Sequence, residues 1–179
     1  MNVTFEENIR TESLRRVAEQ MLIAARTAPK AKGVDNLSIA LVGKEGIKQI
    51  SDKLKEMAAS DTVLAFLLRD AENMLAAEQL VLIGTRYKSV GVRWCNLCGM
   101  PNCEVKDKHP DVPCVFNTGD LGIAIGSAVS KAADERVDTR VMFSIGRAVL
   151  AMNLLGEGVK LAFGIPLSSS GKNPFFDRK

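Results

Sequence analysis

Gln79-Leu-Val-Leu-Ile-Gly84 carries no charge, is rich in branched aliphatics and is closed by a glycine. That is the pattern of a strand buried on both faces. Leu37-Ser-Ile-Ala-Leu-Val42, followed by Gly43, reads the same way, and 159–167 is a third apolar run. Around these runs the period changes to that of a helix. From Thr11, a plausible N-cap, Leu14, Val17, Met21, Leu22 and Ala25 recur at helical spacing until Pro29 stops them. Over 44–60, Ile47, Ile50, Leu54 and Met57 share one face opposite lysines, and 61–78 repeats the pattern through Val63, Leu64, Leu67, Leu68, Ala71 and Leu75. Asn117 or Thr118 caps a helix reaching about residue 133. Asp138 caps another, containing Val141, Ile145, Ala148, Val149 and Met152 and ended by Gly156. A short strand over 89–93 completes the set, and the polar tail 168–179, with Pro174 and two adjacent phenylalanines, is of a kind that rarely packs alone. Helices and strands are thus mixed without the regular rhythm of a doubly wound fold.

The chain has 179 residues, 46% hydrophobic and 25% charged, which suits one domain with a real core. Lys plus Arg number 24 against 21 Asp plus Glu, and there is one Trp and one Tyr, so neither a basic face nor a stacking platform for nucleic acid is indicated. No apolar run approaches the roughly 20 residues of a membrane span. Glu6 and Glu7 among the first ten residues do not make a signal-peptide core, and the expected location is the cytoplasm.

In that reducing compartment, clustered cysteines read as metal or redox ligands rather than disulfides. All four cysteines fall in Cys95-x2-Cys98-x4-Cys103-x10-Cys114. Thiolates two residues apart, followed by Gly99, allow a tight turn whose sulfurs converge on one ion, and two more complete a tetrahedral set. Gly99, Pro101, Asn102, Pro110 and Pro113 deny this loop a core of its own, so a metal would organise it. The spacing leaves zinc and an iron-sulfur cluster both open. A zinc ribbon shows a second two-residue pair, and a bacterial ferredoxin places Pro after its last cysteine, whereas here Pro113 precedes Cys114. His109, the one histidine, lies between Lys108 and Pro110 and is read as a solvated loop residue.

A second constellation runs from Ala24 to Gly33, where Arg26, Lys30 and Lys32 gather beside Thr27, Pro29 and Gly33. Such a set holds a phosphate through charge-assisted hydrogen bonds, or simply complements a helix C-terminus. A third, Gly164 to Lys172, resembles a phosphate loop, but its glycines are misplaced and Asn173 and Pro174 follow the lysine, so a P-loop NTPase is excluded. Ser168, Ser169 and Ser170 with Lys172 leave a choice between an anion nest and a surface turn. Gly122-x3-Gly126 puts two bare positions on one helix face, a device for close helix packing that would suit a dimer interface. With a single histidine in a loop, no hydrolytic triad can be assembled.

The Cys95-Asn-Leu-Cys98-Gly99 segment, Asp120-Leu-Gly-Ile-Ala-Ile-Gly-Ser-Ala128, Arg140-Val-Met-Phe-Ser-Ile-Gly146 and the ending Gly164-Ile-Pro-Leu-Ser-Ser-Ser-Gly-Lys-Asn-Pro-Phe-Phe-Asp-Arg178 resemble a prokaryotic family described as containing a ferredoxin domain. That family is distantly similar to nitroreductases, flavin mononucleotide (FMN) enzymes with an α+β fold and intertwined homodimers. The resemblance implies a single nitroreductase-like domain over 1–179, a mixed sheet flanked by helices, with the cysteine-rich loop 95–114 inserted. It implies a homodimer, a small-molecule or protein redox partner, and an FMN phosphate near Arg26, Lys30 and Lys32 with Lys172 contributing, since Ala28-Pro29-Lys30 falls where nitroreductases have an Ala-Pro-Ser turn. The expected activity is electron transfer to a small acceptor, through a cluster on Cys95, Cys98, Cys103 and Cys114 and an FMN. The alternative is a zinc-stabilised binding or regulatory domain without flavin chemistry.

Overall fold

A computed structural model describes residues 1–60 and 66–176. The strand at Gln79–Arg86 (β2) forms the middle of the molecule because it alternates apolar residues toward both sides: Val81 and Ile83 face one layer of helices, Leu80 and Leu82 the other. Each of these four side chains is fully buried, contributing on the order of 1.5–3 kcal/mol. Leu37–Val42 (β1) and Val159–Ser168 (β4) flank it, and the two-residue strand Asp138–Thr139 (β3) closes the order β1-β2-β4-β3.

All these pairings are antiparallel, with Leu37 opposite Thr85 and Thr85 opposite Leu161 at one end of the sheet, and Gln79 opposite Leu167 at the other. The α+β class therefore holds, but the sheet is simpler in direction than the mixed one expected. Two helices between β1 and β2 bring the chain back to the end it left, so the second strand returns alongside the first.

On one face lie α1 (Arg10–Thr27) and α5 (Val115–Asp134), joined through Ala18, Met21 and Ala25 against Leu121, Ala124 and Ala128. On the other lie α2 (Lys44–Ser60), α3 (Phe66–Met74) and α6 (Phe143–Ala151), while α4 (Cys103–Asp107) is a short helix inside the cysteine segment. Small residues let α6 press onto the sheet. A Cβ on Gly146 would stand 1.7 Å from the Ala162 carbonyl oxygen, and one on Gly164 would stand 2.2 Å from Ile145.

The helical expectations mostly stand, with corrections at the ends. Thr11 does not cap α1; its hydroxyl donates to Glu78, the residue before β2. Asn117 and Thr118 lie inside the first turn of α5, whose cap is Cys114. Asp138 starts a strand rather than a helix, because its segment pairs with Ser168 on β4, and α6 begins only at Phe143. The segment 89–93 forms no strand, and the first residues of the helix expected over 61–78 lie outside the described residues. Gly122 and Gly126 face outward, with no neighbour within 4 Å of a built Cβ among the described residues. The alanines of α5 make the close approach instead.

The tail does pack. Phe175 is fully buried, and its carbonyl accepts from Arg140 Nη1 at 2.8 Å and Asn73 Nδ2 at 3.4 Å. Beneath it Asp70, itself buried, accepts from the Ser144 hydroxyl at 2.7 Å and pairs with Arg69 and Arg140.

Candidate functional site

At the end of the sheet where β2 finishes, the chain enters an extended loop that is held at intervals. Asn117 Oδ1 accepts from the Lys88 amide at 2.9 Å, the Ser89 hydroxyl donates to Asp107 at 2.6 Å, and Val90 is buried. Gly91, Trp94, Asn96 and Gly99 all adopt positive φ. For Trp94, which is 98% exposed, that conformation is unusual and marks a locally constrained turn. Asn102 then caps α4, its side chain accepting from the Val105 amide at 2.9 Å.

These anchors fold the loop around a cavity of about 560 Å³ whose wall includes Cys95, Cys98, Cys103 and Cys114, every cysteine of the chain. All four are free thiols, three half-buried and Cys114 buried at the N-cap of α5, where the helix dipole presents its positive end. The clustering expected from sequence is thus realised in space. The tetrahedral closure is not: among the described residues no three His, Cys, Asp or Glu side chains stand together as a metal-binding group. The donor chemistry fits a thiophilic ion or an iron-sulfur cluster, whose ligation draws such a loop together. His109 is exposed, and its backbone, not its ring, ties it to Lys106 and Val112.

The cationic turn after α1 lies at the same end of the sheet, since it leads into Leu37. Here the structure favours capping over phosphate binding. Lys30 donates to the carbonyls of Ala25 and Ala28, at 2.9 and 2.7 Å, and to that of Arg26 as well, closing the C-terminus of α1. Burial holds Lys30 below the ordinary lysine range, with Asp35 opposing and Arg26 adding to the effect. Arg26 is engaged by Asp35 at 2.6 Å and by the Leu37 carbonyl. Burial raises the Asp35 carboxyl, but hydrogen bonds from Arg26 and the Leu37 amide, with the charges of Arg26 and Lys30, outweigh it and leave it below its usual value.

Thr27 turns its hydroxyl back to the Ile23 carbonyl at 3.0 Å, and Pro29 is exposed. Lys32 and Gly33 both have positive φ, and Lys32 Nζ reaches the Gly91 carbonyl at 3.2 Å, linking this turn to the wall of the cysteine cavity. Buried Asp120 holds the turn from the side of α5, accepting the Ala31 amide at 3.1 Å. Lys172 stands apart. It follows β4 at the far end of the sheet, a strand length of about 25 Å away by rise per residue. Nearby, the Ser170 hydroxyl donates to the Lys172 carbonyl, the arrangement of a surface turn.

Lys106, which the sequence reading missed, lines the cavity and is only 2% exposed. Asn36 and Asn117, the latter read only as a helix cap, each bury a side-chain Nδ2 without a hydrogen-bond partner among the described residues. The signal for Lys106 was its position one helical turn after Cys103, which puts both on one face of α4.

Residues 110–178 match a family described as "Uncharacterized protein containing a ferredoxin domain". A protein of Archaeoglobus fulgidus, described as "Uncharacterized protein", is 37% identical over 97% of this chain and 96% of its own length. Among solved structures, an oxidoreductase containing FMN superposes with a TM-score of 0.60 at 14% identity, over 88% of this chain and 68% of the other. A nitroreductase with bound FMN from Desulfitobacterium hafniense gives 0.59 at 15% identity, over 90% and 78%. At such identities the likeness shows the fold, which is that of the nitroreductases.

Proposed function

This chain belongs to the family described as containing a ferredoxin domain, and from that premise we propose that it is a redox protein whose four cysteines hold an iron-sulfur cluster. The observation that carries this reading is the common wall: Cys95, Cys98, Cys103 and Cys114 come from a loop, a short helix and a helix cap, yet line one cavity. A cluster bound there would supply reversible one-electron transfer. The chain's own contribution is to hold the thiols free and at the surface end of the sheet, with exposed Trp94 and Leu97 beside them. A small-molecule or protein electron partner would approach over that rim.

FMN is the finer part of the proposal. Its support is the nitroreductase fold and the two buried amide donors of Asn36 and Asn117, which sit where the cysteine loop and the α1–β1 turn meet the sheet. Arg26, Thr27, Pro29, Lys30, Lys32 and Gly33 remain the candidate contacts to its phosphate, but Arg26 is already engaged by Asp35, Thr27 and Lys30 already bond backbone carbonyls, and Lys172 is at the opposite end within one chain. That closed cation turn favours the second reading, a zinc-stabilised binding or regulatory domain. The homodimer implied by the resemblance belongs to the first reading and is read from the sedimentation coefficient.

The deciding experiment is purification without oxygen, followed by the visible absorption spectrum with iron, sulfide and zinc analysis. Broad visible absorbance with iron and sulfide supports the redox reading, and added flavin bands support the FMN. A colourless protein with about one zinc per chain replaces both with the zinc domain. Cys98→Ser should strip the metal in either case, and unchanged metal content in that variant would remove Cys98 from the ligand set.

A further inference from the structure

Lys106 is among the largest buried side chains of the described residues, and it is charged. Its surroundings do little for that charge. The ammonium has a long hydrogen bond of 3.4 Å to the Tyr87 carbonyl and stands 3.7 Å from Asp107, a carboxylate that is 58% exposed and already accepts from Ser89. Burying an ammonium without close compensation is strongly unfavourable, so a lysine kept in such a place implies a counter-charge.

The cavity that Lys106 lines supplies one only when its thiols are ionised. Four thiolates outweigh the charge of a divalent ion, and they leave an iron-sulfur cluster anionic as well. Cys103 is one turn away on the same helix, and Cys114 opens the next one. The other charged residues on the wall, Arg93 and Glu104, are exposed and opposite in sign, so water screens them and their charges offset each other.

We propose that Lys106 is the built-in counter-cation of an anionic tetrathiolate metal centre in this cavity. The inference rests on the reading of the four cysteines as ligands, and it adds a specificity to that site: a positive charge fixed inside the wall favours a centre of high negative charge. With a cluster, it also favours the reduced state, which carries one more negative charge.

The test compares Lys106→Met, which keeps the aliphatic stem and removes the charge, with Lys106→Arg, which keeps the charge. Each is studied as isolated with its metal and after chelation under reducing conditions. Lys106→Met should release its metal to a chelator at least tenfold faster than wild type, and lower the thermal midpoint of the loaded protein but not of the metal-free protein. Lys106→Arg should largely restore both. If the centre is a cluster, its reduced-to-oxidised ratio at fixed potential should also fall about tenfold, which is about 59 mV for one electron.

Equal midpoint shifts in loaded and metal-free protein would assign Lys106 a merely structural role and overturn the proposal. So would unaltered metal release. Wild-type protein that retains neither iron nor zinc would instead overturn the ligand reading itself, and this inference with it. Should the Met variant not fold, Lys106→Gln is read in the same way.

Discussion

Two buried charges sit at opposite ends of the sheet, and they are treated differently. Asp70, under the C-terminal tail, accepts from Ser144 at 2.7 Å and lies within reach of two arginines, one of which also holds the Phe175 carbonyl. Lys106, in the wall of the cysteine cavity, is more deeply buried and has one long hydrogen bond and, at 3.7 Å, the half-exposed carboxylate of Asp107. Among the described residues, two asparagine amides at the same end have no partner. The tail end is thus closed by its own side chains, and the cysteine end is the more open of the two.

The most severe change to the layer that carries Ser144 is Gly146→Ala. The new Cβ would meet the backbone of Ala162, which has no side chain to swing aside, and α6 would lift from β4 together with Ser144. A loss of about 3 kcal/mol or more is expected, lowering the thermal midpoint by about 6–12 °C. Next comes Asp70→Ala, which deprives Ser144 and Arg140 of their acceptor and should cost about 2 kcal/mol in urea unfolding. Unlike the change at Lys106, this loss should be equal in metal-loaded and metal-free protein. A difference between the two forms would show that the ends of the molecule are coupled rather than independent.

The smallest effect sharpens the open end. The Arg26–Asp35 pair is half-exposed, so Arg26→Ala should cost under about 1 kcal/mol. Asp35 is held below its ordinary value in the folded chain, so its contribution is full at neutral pH and is lost as the pH falls through the folded value. Stability followed by thermal unfolding should therefore drop less steeply below about pH 4 in Arg26→Ala than in wild type. If FMN binds here, Arg26→Ala with Lys30→Ala should also weaken it, and an unaltered dissociation constant would release these residues from the phosphate.

Much of this architecture was legible in the residues. β1 and α2 fall on the expected positions because their signals are local: an uncharged branched run ending in glycine, and a helical stripe opposed by lysines. The elements that were misplaced depend on distant partners. Asp138 has the chemistry of a helix cap but lies beside Ser168, where a strand pairing satisfies the backbone first. The tail has too little apolar surface to fold alone, yet Phe175 finds a pocket prepared by α3 and Arg140.

The candidate site divides along the same line. Cysteine spacing is covalent information, and by itself it set the four thiols in one loop and made them the ligands to consider. Cation spacing is not: Arg26, Lys30 and Lys32 are adjacent in sequence, but whether they face a ligand or their own helix depends on Asp35 and on the carbonyls at the end of α1. Lys172 was separated from them by the direction of β4, which no local pattern reveals. The burial of Lys106 was likewise decided only in three dimensions, because it requires α4 to lie against the chain that follows β2. Residue type and spacing determine which chemistry is available; tertiary packing determines which of those charges are closed by the chain's own groups and which line a cavity.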